Sequence, residues 1–310
     1  MSAPRLGVVT IVKGRHDHLA NQLEGLRRNE VRADVQVVAA MGDPDVVAVV
    51  TAAEPLWRTE VVPVDVPASG ELPLARARNA AAARAIELGA ELLVFLDVDC
   101  VPAPALLGRY REAAGQVTTA EPWVLCGPVH YLPPADPGGY PLDGLAGLAG
   151  PHPARPAPPD GTLVPADDLR LFWSLSFATP ATSWQRAGGF CEDYEGYGGE
   201  DTDFAMTLGA AAGRMYWVGG ATAYHQHHEV ESPPTRHAEA IVRNANLFYL
   251  RWGWFPMLGW LEAFTAMGVA HLDTGSGRWR TGPAGAPPGP PAGTVPTSGA
   301  APDSRPTSPA

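Results

Sequence analysis

The fold of this chain is decided by the stretch Leu92-Leu93-Val94-Phe95-Leu96-Asp97-Val98-Asp99. Five consecutive apolar residues predict a strand buried on both faces of a sheet, and two carboxylates follow directly where that strand ends. Ligand sites of open α/β sheets lie at the carboxyl ends of the strands. Residues i and i+2 of an extended segment point the same way, so Asp97 and Asp99 can face one divalent cation. A turn or a helix cap is the alternative interpretation.

The residues before this stretch alternate between apolar runs and amphipathic stretches, which is the pattern of strands and crossover helices in a parallel sheet. Gly89 follows the most Ala-rich of these stretches, as glycine commonly ends helices. We therefore predict a single α/β domain with a Rossmann-like, mostly parallel central sheet flanked by helices. The predicted strands cover residues 6–12, 35–40, 60–66 and 92–96, and the predicted helices cover residues 18–28 and 75–88.

The second half of the chain begins with a region of different composition. Residues 132–165 are rich in Pro and Gly without a periodic apolar pattern, so we predict a long loop there. Order returns at residues 169–178, followed by a predicted helix over 201–212 and a strand over 215–218. Residues 281–310 contain hardly any large apolar side chains. Such a segment cannot offset the entropy cost of ordering, so we predict a disordered C-terminal tail.

The charge balance and the cysteines limit the function classes. With 22 basic against 33 acidic residues, the chain lacks the cations that a nucleic-acid backbone would require. No nucleic-acid partner is therefore expected. Cys100, Cys126 and Cys191 lack the paired spacing of a zinc site or of a disulfide framework, which predicts a cytoplasmic protein.

The most apolar region covers residues 245–272, but Arg251, Pro256 and Glu262 interrupt it. A spanning helix needs about 20 apolar residues, so none is predicted. The pattern instead predicts a buried or lid-forming helix pair. Peripheral contact with the inner face of a membrane is the alternative, because amphipathic rings favour that interface. The rings in question are Trp252, Trp254, Phe255 and Trp260.

Two further motifs could take part in chemistry. One places glycines before two carboxylates, and the other is a group of histidines. Gly196-Tyr197-Gly198-Gly199 leads into Glu200 and Asp201 at a predicted helix N-terminus. Capping explains the acidic residues, whereas the glycines permit close approach of the backbone to a ligand. His225-Gln226-His227-His228 follows a predicted strand. Imidazoles are common metal ligands, with a surface cluster as the alternative.

The order of these motifs resembles that of family 2 glycosyltransferases. More narrowly, the chain is similar to enzymes with the galactosyltransferase-type C-terminal region of β-1,4-galactosyltransferases and polypeptide N-acetylgalactosaminyltransferases. The resemblance implies the GT-A fold, with residues 1–130 as the nucleotide-sugar-binding half, 131–168 as a connecting loop and 169–280 as the acceptor-binding and catalytic half. The matching motifs are Ala77-Arg78-Asn79, Asp97-Val98-Asp99, Gly188-Gly189-Phe190, Gly198-Gly199-Glu200-Asp201 and His225 to His228.

The resemblance also implies roles for individual residues on the donor side. Asp99 would ligate the metal, Mn²⁺ or Mg²⁺, together with a histidine. His228 is favoured over His225, with His227 as an alternative. Asp97 would contact the ribose side of a nucleotide-sugar donor, for which a UDP-sugar is expected. The other donor-side candidates are Thr10, Arg15, Asp43, Asp45, Arg78 and Asn79.

On the acceptor side, the resemblance implies that Asp201 is the catalytic base and that Glu200 contacts the acceptor and assists catalysis. A carboxylate that removes the proton of an attacking hydroxyl in a single in-line displacement leads to inversion of the anomeric centre. Trp173 is a candidate for stacking on a sugar ring, with a core position as the alternative. The other acceptor-side candidates are Tyr197, Gly198 and Gly199.

The sequence leaves the sugar and the acceptor open, and the acceptor can be a glycan, a lipid or a small molecule. One departure from the family pattern is Cys191-Glu192, where many relatives have Asp-Glu. The alternative to an active enzyme is a catalytically inactive nucleotide-sugar-binding or scaffolding module. A metal-dependent phosphoester hydrolase built from the same groups is the third reading. The richness in Ala, Gly, Pro and Arg suggests a bacterial source.

Overall fold

The apolar runs at the start of the chain form strands whose side chains are buried on both faces of one sheet. Every residue of Leu6–Val12, Val35–Met41 and Leu92–Leu96 is buried in the computed structural model, which describes residues 3–283. The predicted strands are confirmed, with bounds that differ by no more than two residues. The strands are β1 (Leu6–Val12), β2 (Val35–Met41), β3 (Arg58–Val64), β4 (Leu92–Leu96), β5 (Cys100–Pro102), β6 (Trp123–Cys126), β7 (Val129–Tyr131), β8 (Gly150–Pro151), β9 (Leu163–Pro165), β10 (Ser176–Pro180), β11 (Arg214–Val218), β12 (Ala223–His225), β13 (Ala270–Asp273) and β14 (Arg278–Thr281).

The main sheet has the strand order β3-β2-β1-β4-β10-β6-β11-β9. Strand β10 runs antiparallel to its two neighbours, and β9 runs antiparallel to β11. The remaining pairs are parallel. The C-terminal ends of β1, β2, β4, β6 and β11 therefore lie along the same edge of the sheet, which we call the carboxyl edge. The predicted Rossmann-like, mostly parallel sheet is confirmed, and the antiparallel β9 and β10 are additions to it.

Helices cover both faces of this sheet. Helix α3 packs closely because its buried face is made of Ala77, Ala81 and Ala85. A Cβ atom added to Gly7 of β1 would lie only 2.6 Å from the Ala90 Cβ, so glycine is required under this layer. The helices are α1 (His16–Arg27), α2 (Val46–Ala52), α3 (Leu74–Glu87), α4 (Leu106–Gln116), α5 (Leu145–Leu148), α6 (Ala181–Ala187), α7 (Glu200–Ala210), α8 (Ala238–Trp252) and α9 (Leu258–Ala266).

The Pro/Gly-rich region departs from its prediction as a continuous loop. It contains α5, β8 and β9, of which β9 extends the main sheet beside β11. Strand β8 joins a second sheet with the order β5-β12-β7-β8. Such two- and three-residue strands have no sequence period to reveal them, because their pairing partners lie elsewhere in the chain. This small sheet places β12 against β5, with His225 opposite Cys100.

The apolar region near the C-terminus forms the predicted helix pair, α8 and α9. Gly253 ends α8 in the left-handed conformation at φ 77°, which favours glycine. Within residues 3–283, no helix has the length and apolar character needed to cross a membrane. Strand β14 ends at Thr281, so the tail was predicted to start slightly too early. From residue 284 onward, that tail lies outside the described residues.

Candidate functional site

Three metal-ligating side chains from distant parts of the chain meet at the carboxyl edge. One ligand atom from each of Asp99, His225 and His228 lies within 4.8 Å of the other two. The Asp99 Oδ2 atom is 3.5 Å from Nε2 of His225 and 3.5 Å from Nε2 of His228. The backbone N–H of Gln226 donates to the Asp99 carbonyl oxygen at 2.7 Å, which fixes the histidine segment beside the aspartate.

The protonation states of Asp99 and His225 suit a divalent cation. Burial disfavours the charge on Asp99, but the hydrogen bond from His228 and the nearby His225 and Arg15 charges outweigh it and hold the pKa of Asp99 well below its usual range. Burial lowers the pKa of His225, which favours the neutral ring. An ionised carboxylate and neutral imidazoles are the forms that bind metals. Two imidazoles fit Mn²⁺ better than Mg²⁺, which prefers oxygen ligands.

Arg15 occupies an unusual backbone position beside this cluster. It precedes α1 in the left-handed conformation at φ 52°, and its guanidinium pairs with Asp99 Oδ2. Its side chain is 38% exposed, so it is accessible to a ligand as well as to the aspartate. A cation bound to Asp99 would compete with Arg15 for the same oxygen. The Arg15 side chain would then be available for another anion.

Behind the metal-ligating cluster lies a buried ion network centred on Arg78. Its Nη2 atom donates to Asp97 Oδ1 and Oδ2 at 3.0 and 3.2 Å, and Nη1 lies 3.5 Å from Glu200 Oε1. Burial raises the pKa of Asp97 to about 6, against the opposing charge of Arg78. Burial and the Asp201 charge raise the pKa of Glu200 to about 7. The network thus joins the Asp97-Val98-Asp99 stretch to the start of α7.

Asp201 lies in the first turn of α7 with one oxygen occupied and one free. Its Oδ2 atom accepts a hydrogen bond from the Ser174 backbone N–H at 3.1 Å. Its Oδ1 atom is buried and has no hydrogen-bond partner within residues 3–283. Buried polar atoms are nearly always partnered, so a free carboxylate oxygen is a candidate contact for a ligand hydroxyl.

The glycines before Asp201 are required by packing as well as by backbone conformation. Gly196, Gly198 and Gly199 have φ values of 70°, 90° and 96°. A Cβ atom on Gly196 would lie 2.2 Å from a Glu71 oxygen. Asn244 of α8 donates to the Gly198 carbonyl oxygen at 2.8 Å and holds the turn. Side chains at these positions would displace the N-terminus of α7.

The two aromatic acceptor candidates have different neighbours and different exposure. Tyr197 is 42% exposed and stacks on His237 at 5.1 Å between ring centroids. Trp173 is half-buried and contacts the edge of His152 at 4.9 Å. Trp173 directly precedes Ser174, whose N–H binds Asp201, and it is not among the buried residues of the hydrophobic core.

Two donor-side predictions require correction. Thr10 is 1% exposed, and its hydroxyl donates to Gln22 Oε1 at 2.9 Å, so it supports the interior rather than facing a ligand. The Asn79 side chain donates to the Phe190 carbonyl oxygen and accepts from the Phe190 N–H, both at 2.9 Å. It therefore holds the glycine turn before Phe190 in place. In both cases the polar side chain takes its partners within the protein, although only Thr10 is buried.

The remaining predicted residues lie at the rim of the site. Asp43 accepts from the Gly14 N–H at 2.6 Å and contacts His16 at 3.0 Å, which places it at the ends of β1 and β2. Asp45 is exposed at the start of α2. His227 is exposed and is not one of the three clustered side chains, so the geometry supports His225 and His228 as ligands instead.

Sequence reasoning missed several residues that shape the site. Gln22 donates to the Asp97 carbonyl oxygen at 2.6 Å, and the Gln226 side chain donates to the His18 carbonyl oxygen at 3.1 Å. No motif or spacing marks these glutamines. Tyr131 stacks on His225 at 4.7 Å, and Arg155 lies buried in the Pro/Gly-rich region. A single arginine in such a region carries no sequence signal.

Comparison with known proteins agrees with this geometry at the level of the fold. No family model matches the chain. Over 95 residues, 29% of the chain, it is 34% identical to validoxylamine A glucosyltransferase from Streptomyces hygroscopicus subsp. jinggangensis (strain 5008) and to the enzyme of the same name from subsp. limoneus. Those matches span 21% and 20% of the two relatives, so the chain matches about a fifth of their length.

Three solved structures resemble the chain over most of its length. TarS 1–349 from S. aureus has a TM-score of 0.55 at 14% identity, over 78% of this chain and 64% of that one. GalNAc-T7 with UDP, GalNAc and Mn²⁺ has a TM-score of 0.53 at 13% identity, over 80% of this chain and 50% of that one. The mannosyltransferase PcManGT from Pyrobaculum calidifontis, in complex with GDP-Man and Mn²⁺, has a TM-score of 0.52 at 17% identity. The match covers 85% of this chain and 70% of that one. The chain has the GT-A-type fold of glycosyltransferases. The narrower galactosyltransferase-type resemblance stays a prediction.

Proposed function

We propose that this protein is a metal-dependent, inverting glycosyltransferase that moves a sugar from a nucleotide-sugar, a UDP-sugar by resemblance, to an acceptor hydroxyl. The observation that carries the proposal is the meeting of Asp99, His225 and His228 within 4.8 Å at the carboxyl edge of a GT-A-type fold. The relatives are named as a glucosyltransferase and a mannosyltransferase, and two neighbours hold Mn²⁺. Their names support the same reaction class for this chain.

On the donor side, Asp99, His225 and His228 would hold Mn²⁺. When bound, the cation supplies positive charge to the nucleoside diphosphate that leaves. Arg15 lies beside Asp99 and is exposed enough to pair with a phosphate oxygen. Asp97 stays on Arg78, which keeps its carboxylate oriented toward the donor side of the edge.

On the acceptor side, Asp201 is the base. Its Oδ1 atom takes the proton of the acceptor hydroxyl as that oxygen forms a bond to the anomeric carbon and the bond from that carbon to the diphosphate breaks. The Ser174 N–H holds Oδ2, so the free oxygen has a fixed direction. Because the attack comes from the face opposite the leaving group in one step, the product has the inverted anomeric configuration.

Donor binding is tested by thermal unfolding with UDP-, GDP- and dTDP-sugars, each with and without Mn²⁺. A ligand present at 100 times its dissociation constant stabilises the folded state by about 2.7 kcal/mol. We expect a UDP-sugar to raise the melting temperature only when Mn²⁺ is present. Asp99→Ala abolishes this rise, whereas Asp193→Ala, at an exposed aspartate, retains it.

Turnover is followed as release of the nucleoside diphosphate with a panel of acceptors, and NMR of the product reports its anomeric configuration. The proposal is wrong if no nucleotide-sugar stabilises the protein with Mn²⁺, or if the product keeps the donor configuration. Donor binding without transfer to any acceptor would favour the inactive module. Phosphate release from simple esters without a sugar donor would favour the hydrolase.

A further inference from the structure

Within residues 3–283, Arg155 is a buried cation without an ion pair. It is 7% exposed, although Ala154 and Pro156 on either side of it are exposed. Its Nε, Nη1 and Nη2 atoms are all buried and have no hydrogen-bond partner among the described residues. Leaving buried donors of a charged group unpaired costs more than leaving neutral ones unpaired. A structure that retains such a group points to a partner supplied from outside the chain.

Two tryptophans hold the guanidinium in place. The Arg155 Cζ atom lies 5.1 Å from the ring centroid of Trp173 and 5.1 Å from that of Trp217. Cation–π contacts stabilise the charge through the flat faces of the guanidinium. A tryptophan side chain has no oxygen that could accept a hydrogen bond, so these contacts leave the N–H groups without an acceptor. Carboxylate and phosphate oxygens match that planar array of donors.

Arg155 lies on the same edge of the sheet as the candidate catalytic groups. Trp173 directly precedes Ser174, whose N–H binds Asp201, and Trp217 lies near the C-terminal end of β11. A row of aromatic rings joins the metal-ligating cluster to this arginine. Its successive centroid distances are 4.7 Å from His225 to Tyr131, 5.3 Å from Tyr131 to His152 and 4.9 Å from His152 to Trp173.

Among the described arginines near this edge, Arg155 differs from Arg15 and Arg78 in having no carboxylate partner. Asp97, Asp99, Glu200 and Asp201 line the edge near the cluster, and Arg78 is already paired with two of them. Arg15 contacts Asp99 on the donor side. An anionic group elsewhere along this row would meet carboxylates and be repelled.

We propose that the acceptor carries an anionic oxyacid group, a carboxylate or a phosphate, which binds Arg155 while the acceptor hydroxyl reaches Asp201. The inference rests on the proposed function for its assignment of the acceptor side. It adds the chemical class of the acceptor, which neither the sequence motifs nor the related proteins specify. Trp173 forms one wall of this site, and the aromatic row forms the surface between its two ends.

The test compares matched anionic and neutral probes by ligand-observed NMR titration in the presence of UDP and Mn²⁺. The pairs are methyl β-glucuronide against methyl β-glucoside, and glycerol 3-phosphate against glycerol. We expect one anionic probe to bind at least about tenfold more tightly than its neutral partner, as a charge-assisted hydrogen bond predicts. The pair that shows the preference identifies the group as a carboxylate or a phosphate.

Three variants test whether the preference for the anionic probe depends on the Arg155 side chain. Arg155→Met reduces it to less than about twofold because the charge is removed while the stem is kept. Arg155→Lys retains part of it because the ammonium lacks the planar donors. Arg170→Met, at an exposed arginine paired with Asp168, is the matched control and leaves the preference unchanged. A melting curve shows that each variant is folded.

The inference is overturned if wild-type protein prefers neither anionic probe although UDP and Mn²⁺ bind, and the proposed function then stands. It is also overturned if a folded Arg155→Met variant keeps the preference, or if inorganic phosphate binds at Arg155 while neither organic anion does. Absence of UDP and Mn²⁺ binding, with the anion preference intact and dependent on Arg155, overturns the proposed function but supports an anion site at Arg155.

Discussion

Two buried arginines at the carboxyl edge have opposite surroundings. The Arg78 side chain is 5% exposed and binds Asp97 and Glu200 through its two terminal nitrogens, so only Nε lacks a partner within the described residues. Arg155 is equally buried, but all three of its nitrogens lack partners there. The Arg78 site thus contains its own counter-charges. Under the proposals above, Arg155 and Asp201 Oδ1, which both lack partners within the described residues, would find them in a bound ligand.

The largest expected effect is a difference in the free energy of unfolding between the Arg78→Met and Arg155→Met variants. Arg78→Met leaves two buried carboxylates without their counter-charge, and we expect a loss of about 3–5 kcal/mol in the free energy of unfolding. Arg155→Met removes an unpaired charge together with two cation–π contacts, and we expect a change within about 1 kcal/mol. Urea denaturation of both variants measures the difference. Equal losses would show that Arg155 has a structural partner and would break the comparison.

The free oxygen of Asp201 gives the next prediction. Asp201→Asn keeps an oxygen that can accept from the Ser174 N–H but removes the base, so we expect turnover to fall by about a hundredfold or more with little change in stability. Steady-state rates of nucleoside diphosphate release with saturating donor provide the measurement. Asp193→Asn serves as the exposed control. If Asp201→Asn stays active while Glu200→Gln does not, the base is Glu200.

The smallest effect concerns the pH dependence of stability. Burial raises the pKa of Glu200 to about 7 from 4.5, so the folded state holds a proton that the unfolded chain releases at lower pH. Stability therefore falls as pH rises through this interval. Glu200→Gln should make the decline shallower, whereas exposed Glu262→Gln should not. Urea denaturation at pH 4.5 to 7 tests this, and an unchanged slope in Glu200→Gln would contradict the buried acid.

Local sequence patterns predicted the parts of the fold in which neighbours along the chain share one environment. The run Leu92–Leu96 is buried on both faces, and the alanines of α3 share one packed face, so both were correctly predicted. No element was predicted at Val46–Ala52, which forms α2. This segment is rich in Val, whose intrinsic preference is for strands, and packing against α1 and β3 determines its helical form.

For the candidate site as well, the sequence predicted some of the arrangement and not the rest. The motifs predicted that Asp99, His225 and His228 share a site, and the pairing of β12 with β5 brings them together. The sequence did not reveal that Thr10 and Asn79 bind other groups of the protein, because those partners lie at Gln22 and Phe190. Hydrogen-bond partners are groups that lie close together in the folded protein. Spacing along the sequence predicts such proximity only over a few residues.

The sequence by itself determined the positions of strands β1 to β4, the carboxylates that follow the apolar run at Leu92–Leu96, and the types of side chain available for a metal. Only the tertiary structure decided which charges are paired and which are not. Arg78 and Glu200 are 122 residues apart, and Arg155 lies between two tryptophans of other segments. Burial makes these contacts energetically decisive, since a charge removed from water must find its partner within the fold or in a ligand.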